Sequence, residues 1–327
     1  MPEFVFLTVG DVHISDINPR SRIDNFKETV LGKLNQVRLA ASKLKADAVL
    51  FTGDLYNIKA PLKNSHNLNS ELIELFHRFK CPVYSICGNH DLTGNNLDSL
   101  SHQPIRSLFT SKAVKQLGED IITKKDDKIS LVGFSYQEDL NPSKLHIPPK
   151  GDCKYQICVL HIYAGPKPGV LYKEKLHGYE ELSKLGPDCF VLGHYHIDQG
   201  IQQVNGKTFI NLGAITRGIL IEDNLSHKPK MGFLRIQCEK NGAVIVTTEE
   251  IPISIQPPEE VFNLEKRATE KQEFVKMQEF VNKLVAEAEE SNKTKNVGTE
   301  MDKMKIAEEI KERVLNLIKE AELLRKI

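Results

Sequence analysis

FVFLTVGDVH, residues 4–13, joins an apolar run to a polar cluster across a single glycine. The run has the length and content of a buried strand, and Gly10 ends it. Asp11 and His13 follow at once. Alternate residues of an extended chain point the same way, so both side chains leave one face.

Moving outward, the same arrangement recurs. AVLFTGD (48–54) ends on Gly53-Asp54, and CPVYSICGNHD (81–91) ends on Gly88-Asn89-His90-Asp91. QICVLHI carries His161 near its end, and CFVLGHYH closes on Gly193-His194-Tyr195-His196. Helical patterns separate the first three runs. In residues 26–45, Val30, Leu34, Val37, Leu39, Ala41 and Leu44 lie near helical spacing, and residues 65–80 read as a second helix. This β-α-β-α-β order predicts a sheet with helices on its faces. Beyond residue 118 strand patterns dominate (DKISLVGFS, KYQICVLHI, CFVLGH, KTFINLGA, MGFLRIQC, AVIVTTEEI), with YEELSKLG a short helix among them. A sandwich of two sheets with helices outside accommodates both halves.

Carboxylate and imidazole are ligands for Mn²⁺, Fe²⁺ or Zn²⁺, and an Asn carbonyl oxygen can join them. A carboxylate such as Asp54 can bridge two cations. Two metals about 3.5–4 Å apart clamp a phosphate for in-line attack and activate a water between them. Taken singly, each cluster has a plainer reading: a turn, a surface pair, a hydrogen-bonded core histidine. Their joint occurrence, each terminating an apolar run, carries the metal-site reading.

The remaining composition is restrained. Acidic and basic residues number 44 each, so net charge points to neither nucleic acid nor membrane. No apolar stretch reaches the length of a bilayer span, and the N-terminus lacks the pattern of a signal peptide. Six cysteines without a C-x-x-C pair, most in strand-like runs, read as buried thiols of a reducing compartment, hence the cytoplasm. PISIQPPEE predicts a Pro-rich linker over 251–260, between a domain spanning 1–250 and a charged helical extension over 261–327. In that extension Phe274, Met277, Val281, Leu284 and Ala288 form one amphipathic stripe. Ile306, Ile310, Val314, Leu317, Ala321 and Leu324 form a second.

GDVH, GDLYN, GNHD, a strand-end His and GHYH together resemble the five signatures of the calcineurin-like metallophosphoesterases, over residues 5 to about 218. The resemblance implies an α/β fold, a four-layer α/β/β/α sandwich, with a two-metal site often served by Mn²⁺. It implies that Asp11, His13, Asp54 and His196 hold one ion, and Asp54, Asn89, His161 and His194 the other. His90 would contact the scissile phosphate and protonate the leaving oxygen, with Asp91 orienting it.

The overall order also resembles the SbcD-type nuclease subunits of DNA double-strand-break repair and recombination, phage versions included; in a phage case the compartment is the host cytoplasm. There the phosphoesterase domain precedes helices that grip the coiled coil of an SbcC-type ATPase, the role implied here for residues 261–327. Asn57 departs from that pattern, standing where many such nucleases carry a His that supports exonuclease action. Little chain separates the last strands from the extension, where these nucleases have a DNA-capping domain. The expected function is therefore a DNA exo- or endonuclease subunit. The alternatives are a stand-alone phosphatase or cyclic-nucleotide phosphodiesterase, and a scaffold with a relic site. The stripes also suit packing on their own domain or a homodimer. Arg20, Arg22 and Arg217 are candidates for substrate phosphate contact, and Tyr163 and Tyr195 for stacking on a base. The histidines outside the clusters, His227 among them, take no role.

Overall fold

The structure is a computed structural model that describes residues 2–138, 140–171, 174–218, 222–264, 276–283 and 312. It divides into a first unit, Met1–Phe262, and a second, Asn263–Ile327.

In chain order, β1 (Glu3–Val9) leads into α1 (Phe26–Leu44), β2 (Ala48–Phe51), α2 (His66–His77), β3 (Val83–Ser85), α3 (Ile105–Thr110) and β4 (Lys115–Gln116). Then come β5 (Glu119–Lys124), β6 (Asp127–Phe134) and β7 (Tyr155–Ile162), followed by three short strands, β8 (Ala164–Gly165), β9 (Gly169–Leu171) and β10 (Glu174–Gly178). After α4 (Tyr179–Leu182) follow β11 (Cys189–His194), β12 (Gly200–Val204), β13 (Lys207–Asn211) and α5 (Glu222–Ser226). β14 (Lys230–Cys238), β15 (Val244–Pro252) and α6 (Pro258–Val261) complete the unit. One six-stranded sheet has the order β15-β14-β1-β2-β3-β4 and the other β12-β13-β11-β7-β6-β5. β1 to β4 run parallel, as do β6, β7, β11 and β13.

Period-two burial builds the layers. Val5, Leu7 and Val9 face α1 and α2, while Phe4 and Phe6 face the second sheet. In β7, Ile157 and Val159 point into the space between the sheets, and Cys158, Leu160 and Ile162 meet Tyr179 and Leu182 of α4 on the far side. Three apolar layers thus separate four structural ones, as the sandwich reading expects. The outermost layer is thin, since α4 is only four residues long.

α1 begins where expected, with the Asn25 side chain accepting from the Glu28 amide, and ends on Lys45 in the left-handed region. One position departs from the expected face. Leu39 is 52% exposed, and Lys33 is buried in its stead, its ammonium donating to the Ile215 carbonyl at 2.8 Å. Other elements carried little pattern: β4, β5, β12, the small β8-β10-β9 sheet and α3. The cysteines are all free thiols. Among the described residues no helix is long and apolar enough to cross a membrane.

Of the second unit, residues 276–283 are helical, with Met277, Phe280 and Val281 half-buried and their neighbours exposed. Most of both amphipathic stripes lies outside the described residues.

The exit of β1 passes so close to the loop after β13 that a Cβ on Gly10 would overlap the Gly213 carbonyl oxygen. Gly10→Ala is therefore expected to cost about 1–3 kcal/mol, read as a lower urea midpoint; an unchanged midpoint would show that the two loops can separate freely.

Candidate metal centre

Five strands of the two sheets bring the ligand-bearing residues together. Asp11 and His13 follow β1, Asp54 follows β2 and Asn89 follows β3; His161 lies near the end of β7 and His194 ends β11. The carboxyl ends of parallel strands are where open α/β sheets place ligands.

Asp54 is the centre of the cluster and is fully buried. Its Oδ1 accepts from the His90 amide at 2.7 Å. Its Oδ2 has no hydrogen-bond partner, yet lies 3.6 Å from both His13 Nε2 and His161 Nε2. A buried carboxylate oxygen left unpaired is costly unless a cation meets it. Ligand atoms of Asp11, His13, Asp54 and His196 all lie within 4.8 Å of one another, and so do those of Asp54, His161 and His194. Asn89 Oδ1 completes the second group, 3.2 Å from His161 Nε2 and 3.0 Å from His194 Nδ1. These donors fit a pair of divalent cations sharing Asp54. Asp11 is fixed from two sides: Oδ1 accepts from Thr52 Oγ1 at 2.8 Å and Oδ2 from the His194 amide at 2.8 Å.

Backbone geometry here is strained. His13, Asp54 and His194 all have positive φ (52°, 48° and 79°). Such residues persist only where the surroundings over-determine them. The Asp54 carbonyl does so by accepting from the amides of both Val12 and His13.

The family model for calcineurin-like phosphoesterases matches residues 4–198. This chain belongs to that family. Among curated proteins, the DNA double-strand break repair protein Mre11 of Methanocaldococcus jannaschii is 24% identical over 214 residues, covering 61% of this chain and 56% of that one. The phosphoesterase thus spans little more than half the length of that relative. Among solved structures, the calcineurin-like phosphoesterase YfkN from Bacillus subtilis superposes with a TM-score of 0.50 at 13% identity, over 78% of this chain and 93% of that one. At that identity the likeness shows the fold.

Around the cluster, the phosphoesterase holds its second expected pair differently. His90 Nδ1 lies 2.8 Å from the Asn57 carbonyl, which can only accept, so that nitrogen carries the hydrogen and Nε2 is free. The Asp91 carboxylate is engaged elsewhere. Its two oxygens accept from the amides of Tyr56 and Gly88, at 3.0 Å each, so it ties the GNHD turn to the loop after β2. The orienting partner is the Asn57 main chain, to which a side-chain motif is blind.

Two of the three candidate arginines are placed otherwise than expected. Arg20 is exposed. Arg22 and Arg217 are buried and closed to substrate. Arg22 pairs with Asp24 at 2.6 Å and donates to the Arg217 carbonyl, and Arg217 donates to the Gln256 carbonyl. Both guanidiniums lie over Phe262. They close the C-terminal end of the first unit onto its body. Lys33 sits among them, its ammonium pushed down to about 7 by burial and then by the two arginines.

Beside the ligands opens a cleft of about 780 Å³, lined by His13, Asn57, Tyr163, His196, His227 and Lys230 among others. The Tyr163 and Tyr195 rings meet edge to face at 4.9 Å, and Tyr163 packs against His194. Sequence reading missed Tyr136, whose ring lies 5.2 Å from His194, and Glu174, whose carboxylate lies 3.0 Å from His194 Nε2. Neither belongs to a motif, and only the fold brings them there.

The protonation states favour cations. Burial, then the neighbouring histidines, keeps His13 well below its ordinary value, and burial takes His161 down to about 4. Both rings therefore present neutral lone pairs at neutral pH. Burial, then Asp11 and Asp91, holds the Asp54 carboxyl well above the carboxylate range. A cation competes with a proton for that carboxyl, so affinity rises with pH. Mn²⁺ uptake near neutral pH is expected to release protons, read by calorimetry in buffers of different ionisation enthalpy. Asp54→Asn should lose both the release and tight binding; pH-independent uptake by the unaltered protein would refute the assignment.

Proposed function

We propose that this phosphoesterase hydrolyses phosphodiesters of DNA, using two divalent cations, and works as the nuclease subunit of an SbcC-type coiled-coil ATPase in repair or recombination. The observation that carries the chemistry is the shared, buried Asp54 oxygen between two ligand groups, with His90 beside them. The likeness to Mre11 supports the choice of DNA. Mn²⁺ suits the mixed oxygen and nitrogen donors.

The cations, when bound, would neutralise phosphate charge and make a water nucleophilic at neutral pH. The chain's own residues supply position and a proton. In-line attack of water on phosphorus forms one P–O bond and breaks the bond to the leaving oxygen, which needs a proton. His90 is fixed through Nδ1 by the Asn57 carbonyl and through its amide by Asp54, so its Nε2 is held ready. Burial lowers the ring's affinity for a second proton. An anionic phosphate beside it offsets that penalty, so the ring charges when substrate arrives.

The partner assignment rests on the amphipathic stripes beyond residue 261, of which Met277 and Val281 form the half-buried side of the described turn. A narrow apolar stripe flanked by charge suits docking onto another helix.

With Mn²⁺ and linear or hairpin DNA, the protein is expected to cleave, and His90→Ala to lower the rate by about 10²–10⁴ while still binding metal. Cleavage of bis(p-nitrophenyl) phosphate but of no DNA, with or without the ATPase, would replace this reading by the small-phosphoester one.

A further inference from the structure

Each ring nitrogen that turns away from the second ligand group has a holder, and the holders are not alike. His161 Nδ1 donates to the Thr52 carbonyl at 2.7 Å. That leaves His161 Nε2 as a bare lone pair facing Asn89 Oδ1. His194 instead has a carboxylate on its far nitrogen, with Nε2 3.0 Å from Glu174 Oε1. A carboxylate only accepts, so Nε2 carries the hydrogen and Nδ1 presents its lone pair. Nδ1 points at Asn89 Oδ1, 3.0 Å away. Three acceptors thus converge, with no hydrogen to share among them.

The fold fixes Glu174 there. It opens β10, which pairs antiparallel with β9 and parallel with β8. The His177 amide donates to the Tyr163 carbonyl, binding this small sheet to the chain just after His161. The His194 ring sits between Tyr136 and Tyr163, at 5.2 and 5.4 Å. Those rings confine its plane but not the nitrogen that bears the hydrogen. Charge adds a second reason. Asp11 and Asp54 bring two negative charges to an expected four positive ones, and Glu174 adds a third, one imidazole from the second ion.

We propose that Glu174 is a positioning residue of the metal centre: it sets the tautomer of His194 and raises its basicity toward the second cation. No motif holds this residue, and the inference rests on the two-metal reading above. Partners of this kind change metal affinity by about 10–100-fold when removed.

The test compares wild type, Glu174→Ala and Glu174→Gln. In metal-free protein, imidazole ¹⁵N–¹H correlation spectra should show His194 protonated at Nε2 in wild type, and a loss of that fixed tautomer in Glu174→Ala. Calorimetric Mn²⁺ titration should show the second ion bound about 10–100-fold more weakly in Glu174→Ala, with Gln between the two. Glu174 is partly exposed, so the metal-free melting temperature should hold, which separates positioning from folding. Two ions bound equally well by wild type and Glu174→Ala, with an unchanged tautomer, would overturn the proposal alone. A wild type that binds both ions but cuts no DNA would overturn only the DNA reading. A wild type that takes up no second ion would overturn both.

Discussion

The Asp54 carboxylate is the constraint on which the rest of the site depends. Enclosing a charge away from water costs several kcal/mol unless opposite charge or donors meet it. Here one oxygen has the His90 amide and the other has nothing. The ring nitrogens of His13 and His161 lie 3.6 Å from that oxygen, too far to satisfy it. Such a cluster is repulsive by itself and is held by the scaffold. The strain is visible in the positive φ of His13, Asp54 and His194, and in a carboxyl kept protonated well above its ordinary range. A cation pair would meet the unpaired oxygen and offset the repulsion.

Much of what holds the cluster is main chain. The Asp54 carbonyl takes the amides of Val12 and His13, Ile215 donates its amide to the Asp11 carbonyl, and the Thr52 and Asn57 carbonyls orient His161 and His90. These groups belong to loops leaving parallel strands whose spacing the sheets dictate. Close approach completes the arrangement. A Cβ on Gly88 would overlap the Asp54 carboxylate, so only glycine lets the third loop reach the second.

This division explains what the sequence reveals. The candidate ligands act through side chains, so Asp11, His13, Asp54, Asn89, His161, His194 and His196 can be picked out from letters and spacing. Strand and helix order is readable too, because burial in two layers writes alternating or helical periods into the chain. The unreadable part falls into two kinds. Asn57 acts through its carbonyl, which every residue has, and Asp91 ties loops through amides; neither role leaves a letter. Glu174, Tyr136 and Lys33 have ordinary letters in unremarkable segments, and tertiary contact alone gives them a place. The arginines mislead for the converse reason. A guanidinium near a phosphate-binding motif suggests an anion, yet the fold offers Arg22 and Arg217 the Phe262 ring and carbonyls instead.

Those arginines also show that the site and the end of the first unit are one structure. Arg22 bridges to Phe262 in the manner of a strand, and the Ile23 amide donates to the Val261 carbonyl. Arg217 reaches Gln256, and its own carbonyl is held by Arg22. Two residues earlier, the Ile215 amide holds the Asp11 carbonyl while the Ile215 carbonyl holds buried Lys33. The loop that steadies Asp11 is therefore tied to buried Arg22, Arg217 and Lys33, and the two arginines in turn to Gln256 and Phe262. The geometry of the candidate metal centre is thus linked to the segment that leads into the C-terminal unit as well as to the strands that carry its residues.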